Sequence, residues 1–148
     1  MDWKLEVVIL PVADVDRAKT FYAGTLGWTL DVDHAPNDDF RVVQLTPPGS
    51  ACSVTFGVGL GTADVAPGTY QGMHLVVEDV AAAHADLVRR GVECGEPFHY
   101  GAHGKAPGVD AEHRDFASYV TFSDPDGNGW IVQERGHPES RGTAQPPE

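Results

Sequence analysis

Positive charge is scarce in this chain. Ten Lys and Arg stand against 22 Asp and Glu, a formal net charge of −12 at pH 7. A nucleic-acid binder needs a basic face to displace counterions from phosphates, and a protein held on an anionic bilayer needs a basic cluster. The composition argues against both partners. Cysteine is scarce too. Cys52 and Cys94 are the only two, and neither sits in a Cys-x-x-Cys pair. Two such thiols do not make a disulfide framework, and they read as free thiols of a reducing compartment. No apolar run approaches the ~20 residues that a membrane-spanning helix needs. The opening MDWKLEVVIL lacks the basic start and long apolar run of a secretion signal. The expected location is the cytoplasm.

What is present suits a globular protein: 41% hydrophobic and 22% charged residues over 148 positions. A chain of that size can bury about 70% of its unfolded surface, as one domain or as two small fused units.

The sequence repeats itself. ILPVADVDRAKTFYAGTLGW (residues 9–28) and HLVVEDVAAAHADLVRRGV (residues 74–92) each run from an apolar strand pattern into Asp-Val, at Asp14-Val15 and Asp79-Val80. Asp is a good N-cap, and a helical pattern follows each one. Val15, Ala18, Phe21 and Tyr22 share one face of the first helix, and Val80, Ala83, Leu87 and Val88 one face of the second. Gly27 and Gly91 follow them as stop signals. Strand patterns then occupy Trp28–Val32, Phe40–Leu45 and Cys52–Val58, separated by the turn-rich HAPND and TPPGS. In the second copy, Met73–Val77, Val92–Pro97, Phe116–Phe122 and Trp130–Glu134 read as strands. SDPDGNG (residues 123–129) is a turn, and a long loop covers Phe98 to about Arg114. The expectation is an α+β protein of two β-α-β-β-β modules, residues 1–60 and 72–135. A Gly/Thr/Pro-rich linker covers 61–71, and a mobile tail starts at 136. Each module exposes a sheet face that needs cover. Two modules side by side would form one cupped mixed sheet with a ligand cavity.

VADVDRAKTFY, HLVVEDVAAAHADLVRRGV and FSDPDGNGWIVQE, in that order and spacing, resemble the vicinal oxygen chelate superfamily. This is the glyoxalase, bleomycin-resistance and extradiol-dioxygenase group, and the resemblance spans roughly Leu5 to Glu134. It implies paired β-α-β-β-β modules with a cavity in each cupped sheet. Catalytic members hold a divalent metal there, with ligands from the first strand of each module and from last strands. Resistance members use the cavity to trap a drug. Carried onto this sequence, the ligand positions fall on Val7, Gly72 and Ile131, and on Val54–Phe56, where no ligand type occurs. The metal is therefore expected to be absent. The weak alternative is a displaced site for Fe, Mn, Ni or Zn from His74, Gln133 and Glu134, since residues two apart in a strand share a face. His74 is also a candidate catalytic base, or a cavity residue that makes one hydrogen bond.

The expected ligand-binding residues are His74 and Gln133 with four strand aromatics, Trp28, Phe56, Tyr119 and Trp130. Such rings either stack on a flat ligand or belong to the core beneath the helices. The loop FHYGAHGKAPGVDAEHRDF adds His99, Tyr100, His103, Lys105, His113 and Arg114. It reads either as a lid that grips an anionic or carbonyl-bearing ligand with His99, His103 and Arg114, or as a solvated loop. A zinc cluster of His99, His103 and His113 is a further option on spacing alone. No nucleophile elbow surrounds Ser53, Ser118 or Ser123. GVGLG lacks the strand-then-helix setting of a dinucleotide site.

The functional expectation is a metal-free protein that binds an aromatic or polyketide-like small molecule, in the manner of drug sequestration and antibiotic resistance, and forms a homodimer. The alternative is an enzyme: a metal-dependent lyase, isomerase or dioxygenase with displaced ligands, or a metal-free acid–base catalyst using His74.

Overall fold

Asp14 and Asp79 start their helices in the same way. Both have extended backbone, at φ −134° and −147°, and each carboxylate accepts a hydrogen bond from the N–H three residues on. Those N–H groups, of Arg17 and Ala82, are among the donors that a helix start leaves without a partner. The computed structural model describes residues 1–137. It divides into two compact units, residues 1–71 with 124–128, and residues 72–123 with 129–137.

In the first unit, β1 (Val7–Ile9) leads through α1 (Val15–Lys19) into a π-helical segment, Thr20–Thr25. β2 (Thr29–Asn37), β3 (Phe40–Thr46) and β4 (Ser53–Val58) follow, and the sheet order is β1-β4-β3-β2. In the second unit, β5 (Met73–Val77) leads through α2 (Val80–Arg89) to β6 (Phe98–Gly101), β7 (Gly104–Pro107), β8 (Ser118–Ser123) and β9 (Gly129–Glu134). Its order is β5-β9-β8-β6-β7. β1 runs parallel to β4 and β5 parallel to β9, and the other pairings are antiparallel. The β-α-β-β-β plan expected from the sequence is thus present twice, with β7 added to the second sheet.

Two segments differ from expectation. β2 continues through HAPN to Asn37, with register shifts on both sides of His34. It is an edge strand, so Pro36 costs no interior ladder bond. In the second unit, residues 92–97 form only an isolated bridge from Cys94 to Phe122. The missing strand lies further on, in the stretch expected to be loop, where β6 and β7 form a hairpin with Phe98 opposite Pro107 and Gly101 opposite Gly104. The tail expected from residue 136 lies outside the described residues, except for Gly136 and His137.

Each sheet buries one face under its own helix. In the first unit Leu10, Ala18, Tyr22, Val43, Leu45 and Phe56 are almost inaccessible. The DPDGN turn is tied into this core. Buried Asp124 accepts from the Tyr22 hydroxyl at 2.8 Å, from the Asn128 amide at 2.8 Å, and from the N–H groups of Asp126 and Asn128 at 2.9 Å. A buried carboxylate with four donors is satisfied, and the turn is held as a unit. Asp33 fastens β2 to β3 through Arg41 and to α1 through Lys19, and these hydrogen bonds, Arg41's the stronger, hold its carboxyl well below the usual range. In the second unit Val80, Leu87, Val120, Phe122, Trp130 and Val132 form the core, while Val88, expected on the apolar face of α2, is exposed. Cys52 and Cys94 are free thiols. Burial, with Glu96 nearby, pushes the Cys94 thiol up. No helix among the described residues is long and apolar enough to cross a membrane.

Candidate functional site

Strand alternation sorts the residues of the second sheet onto two faces. Along β9, Trp130, Val132 and Glu134 are buried, and Ile131 and Gln133 are less so. The Glu134 carboxylate accepts from the Val80 N–H at the start of α2. Trp130, Val132 and Glu134 therefore point to the helix. Ile131 and Gln133 point to the other, helix-free face.

Register extends that second face. His74 lies opposite Ile131 and Val76 opposite Gln133. Tyr119 lies opposite Gln133, and Phe98 opposite Tyr119. Three rings meet there. Phe98 and Tyr119 stack at 5.4 Å with an 18° interplanar angle. Tyr100 stands edge-on to both, at 5.9 Å and 5.5 Å. The Lys105 ammonium sits 4.2 Å from the Phe98 ring centre, a cation–π contact. Beside the rings, Gln133 Nε2 donates to the Tyr119 hydroxyl and to the Phe116 carbonyl, both at 3.1 Å, and the Tyr119 hydroxyl donates to the same carbonyl at 2.8 Å. Both amide protons of Gln133 are thereby used. Its amide oxygen is the acceptor it presents.

His74 is exposed on β5, with Nδ1 2.8 Å from the Gly72 carbonyl oxygen. A carbonyl only accepts, so Nδ1 carries the proton and Nε2 keeps the lone pair. His99 has the same arrangement with the Gly108 carbonyl, at 2.8 Å. It alternates with Phe98 and Tyr100, so it lies on the opposite face of β6.

Six of the nine expected ligand-binding residues do not join this group. Trp28 and Phe56 pack against Tyr22 at 5.1 Å and 5.8 Å in the core of the first unit. Trp130 stacks parallel to Phe122 on the helix side of the second sheet. Phe56 and Trp130 lie in strands as expected, while Trp28 precedes β2, which starts at Thr29; strand membership alone does not say which parity is inward. His99 is excluded by the same alternation. His103 lies in the exposed β6–β7 turn. The Arg114 guanidinium pairs with Asp110 and Glu112 within its own loop. Phe98 and Tyr100, which the sequence pattern places in a loop, join this face as aromatic contacts. Their alternation in FHYG was the available signal.

The family's metal fails a test of donors. Val7, Gly72 and Ile131 carry none. His74 and Gln133 do share the helix-free face, but Gln133's nitrogen is committed to Phe116 and Tyr119, and Glu134 lies on the other face of β9. That leaves one imidazole and one amide oxygen, short of the three protein donors that catalytic zinc sites take. The proposed trio of His99, His103 and His113 does not assemble either. His113 instead meets Glu134 and His137, the one group of three or more His, Cys or carboxylate residues within metal-binding reach among the described residues.

The model of the Glyoxalase/Bleomycin resistance protein/Dioxygenase superfamily matches residues 4–132. Among solved structures, an antibiotic binding protein, TnmS3 from Streptomyces sp. CB03234, is 29% identical, with 91% of this chain and 98% of that one covered at a TM-score of 0.68. A glyoxalase/bleomycin resistance protein from the same organism is also 29% identical, with 88% and 100% covered at 0.66. A member of the superfamily from Sphaerobacter thermophilus is 28% identical, with 90% and 98% covered at 0.69. No protein of curated function matches this chain. With the duplicated β-α-β-β-β topology and the match over most of its length, the chain belongs to the glyoxalase/bleomycin resistance protein/dioxygenase superfamily.

Proposed function

We propose that the protein binds a planar aromatic, polyketide-like small molecule on the helix-free face of its second sheet, without a metal. The carrying observation is the Phe98–Tyr100–Tyr119 ring cluster, with Lys105 over one ring and Gln133 braced beside another. Rings in offset or edge-on geometry add about 0.5–1.5 kcal/mol per pair beyond area burial, so a flat guest gains from such a platform. The Gln133 amide oxygen would accept from a hydroxyl on that guest, and the ammonium of Lys105 suits a phenolate or carbonyl. The similarity to an antibiotic binding protein supports this class of ligand, and drug sequestration is the role that follows. Assembly as a homodimer belongs to the same reading, with the unpaired edges of β1, β2, β5 and β7 as its physical motive. Light scattering on the eluted peak tests it.

Thermal-shift screening of planar aromatic antibiotics in EDTA tests the binding. A ligand that occupies this face raises the unfolding midpoint of the wild type and much less that of Tyr119→Ala. Equal shifts in both would place the ligand elsewhere.

One observation favours a second reading, an acid–base enzyme. The Gly72 carbonyl fixes His74 in the tautomer whose Nε2 can take a proton. A base of that kind suits proton abstraction beside a carbonyl. Deuterium wash-in to carbonyl compounds, abolished in His74→Ala, would support it over pure binding.

A further inference from the structure

His113, Glu134 and His137 come together on the helix side of the second sheet, away from the ring cluster. Their ligating atoms all lie within 4.8 Å of one another. Glu134 is fully buried, and its two carboxylate oxygens have separate tasks. One accepts from the Val80 N–H at 2.9 Å, and the other lies 2.9 Å from His113 Nδ1. The imidazoles of His113 and His137 stack at 3.8 Å, within 6° of parallel.

The backbone is shaped to bring these groups together. His113 and Phe116 hold positive φ, 49° and 59°, which is uncommon for any residue but Gly. Phe116 N–H bonds the Glu134 carbonyl and His137 N–H bonds the His113 carbonyl. Between them, Arg135 pairs with Asp115 at 2.7 Å. Gly136, at φ 100°, lies so close to Asp115 that an added Cβ would sit 2.2 Å from its carboxylate. Asp110 closes the other end of the loop, accepting from the N–H groups of Glu112 and Arg114 at 3.1 Å each. Backbone in sparsely populated regions persists where its surroundings hold it, and such strain collects at functional sites.

We infer that His113, Glu134 and His137 form a binding site for one divalent transition-metal ion of the zinc class, which ties the 110–116 loop to the end of β9. Two imidazoles and a carboxylate are a donor set that zinc takes, with a fourth position open to water. Tetrahedral zinc spaces its ligand atoms about 3.3 Å apart. His113 and Glu134 would therefore separate by a few tenths of an ångström as the proton between them gives way to the ion. Stacked parallel rings do not aim their lone pairs at one point. Binding therefore also turns one imidazole about its Cβ–Cγ bond. The Val80 N–H that bonds the other Glu134 oxygen orients the carboxylate, as outer partners of metal ligands do. This site lies on the other face of β9 from the proposed ligand site and shares with it only the Phe116 backbone, and its failure would leave that reading untouched.

Zinc chloride titrated calorimetrically into tag-free, EDTA-stripped protein tests the inference. One equivalent per chain is expected to bind and to raise the thermal midpoint. Cobalt in its place is expected to give the visible absorption of a tetrahedral ion. His137→Ala, which removes no core side chain, is expected to weaken binding by 100-fold or more and to cancel the midpoint shift, and His113→Ala is expected to do the same. Absence of zinc binding at micromolar concentrations would overturn the inference. So would binding that is equally strong in both variants, which would assign the ion to surface histidines such as His103.

Discussion

Gln133 and Tyr119 face each other across β9 and β8, and the Gln133 amide donates to the Tyr119 hydroxyl at 3.1 Å. Both groups also bond the Phe116 carbonyl, which closes a triangle that holds the Tyr119 ring against Phe98. The aromatic platform is thereby pre-ordered, so a guest does not have to order it on binding. Tyr119→Ala should lower affinity for a flat aromatic ligand tenfold or more by calorimetry. Tyr119→Phe, which keeps the ring and loses the triangle, should lower it less.

The core rings should behave differently. Trp130 is buried beneath α2 and stacked on Phe122. Trp130→Ala should cost about 3–5 kcal/mol of stability in urea unfolding. Wherever enough folded protein remains, ligand affinity should be close to that of the wild type. A specific loss of affinity without loss of stability would move Trp130 onto the ligand face.

Much of the sequence was legible because its signals are local. Asp14 and Asp79 announce two helix starts at matching points, and DPDG announces a turn, so the duplicated plan can be read without distant contacts. The β6–β7 hairpin was missed because four-residue strands are shorter than any periodicity can certify. FHYG carries two aromatics on one face, yet His99, His103 and Lys105 give the segment a polar average. The reach of β2 past Pro36 was hidden because its edge position, which makes Pro harmless, is a property of the sheet. Most remote of all is the grouping of His113, Glu134 and His137. Its members lie 21 and 3 positions apart, and they meet where His113, Phe116 and Gly136 adopt positive φ, which no local pattern announces.

The DPDGN turn is a structural device here. Tyr22→Phe removes one of four donors to buried Asp124. It should lower unfolding free energy by about 1–3 kcal/mol and leave ligand affinity unchanged. Gly68 packs on the same turn at φ 82°, where a Cβ would meet the Asp126 carbonyl at 1.9 Å. Gly68→Ala should therefore destabilise at least as much. A neutral result for both would show that the turn is not anchored through these contacts.

Acid should loosen two named places. Hydrogen bonds, chiefly from Arg41 and then Lys19, hold the Asp33 carboxyl low. Burial raises that of Asp110, but the N–H groups of Arg114 and Glu112 outweigh it and leave it lowered. A carboxyl lowered by folding contributes stability above its unfolded value, about 3.9, and that contribution is lost as pH falls below it toward the folded value. The urea midpoint should fall between about pH 4 and pH 2, and the fall should be shallower in Asp33→Asn and in Asp110→Asn. Unchanged slopes would remove these residues from the acid response.

In the function proposed above, the helix-free face of the second sheet holds an aromatic guest without a metal and without altering it. Calorimetric titration of the best ligand from the thermal-shift screen, into protein kept in EDTA, followed by mass spectrometry of the recovered compound, tests it most directly. Saturable binding that zinc, iron, manganese and nickel salts leave unchanged is expected, with an intact compound after prolonged incubation. Binding that appears only when one of those metals is supplied, or a compound recovered chemically altered, would contradict it.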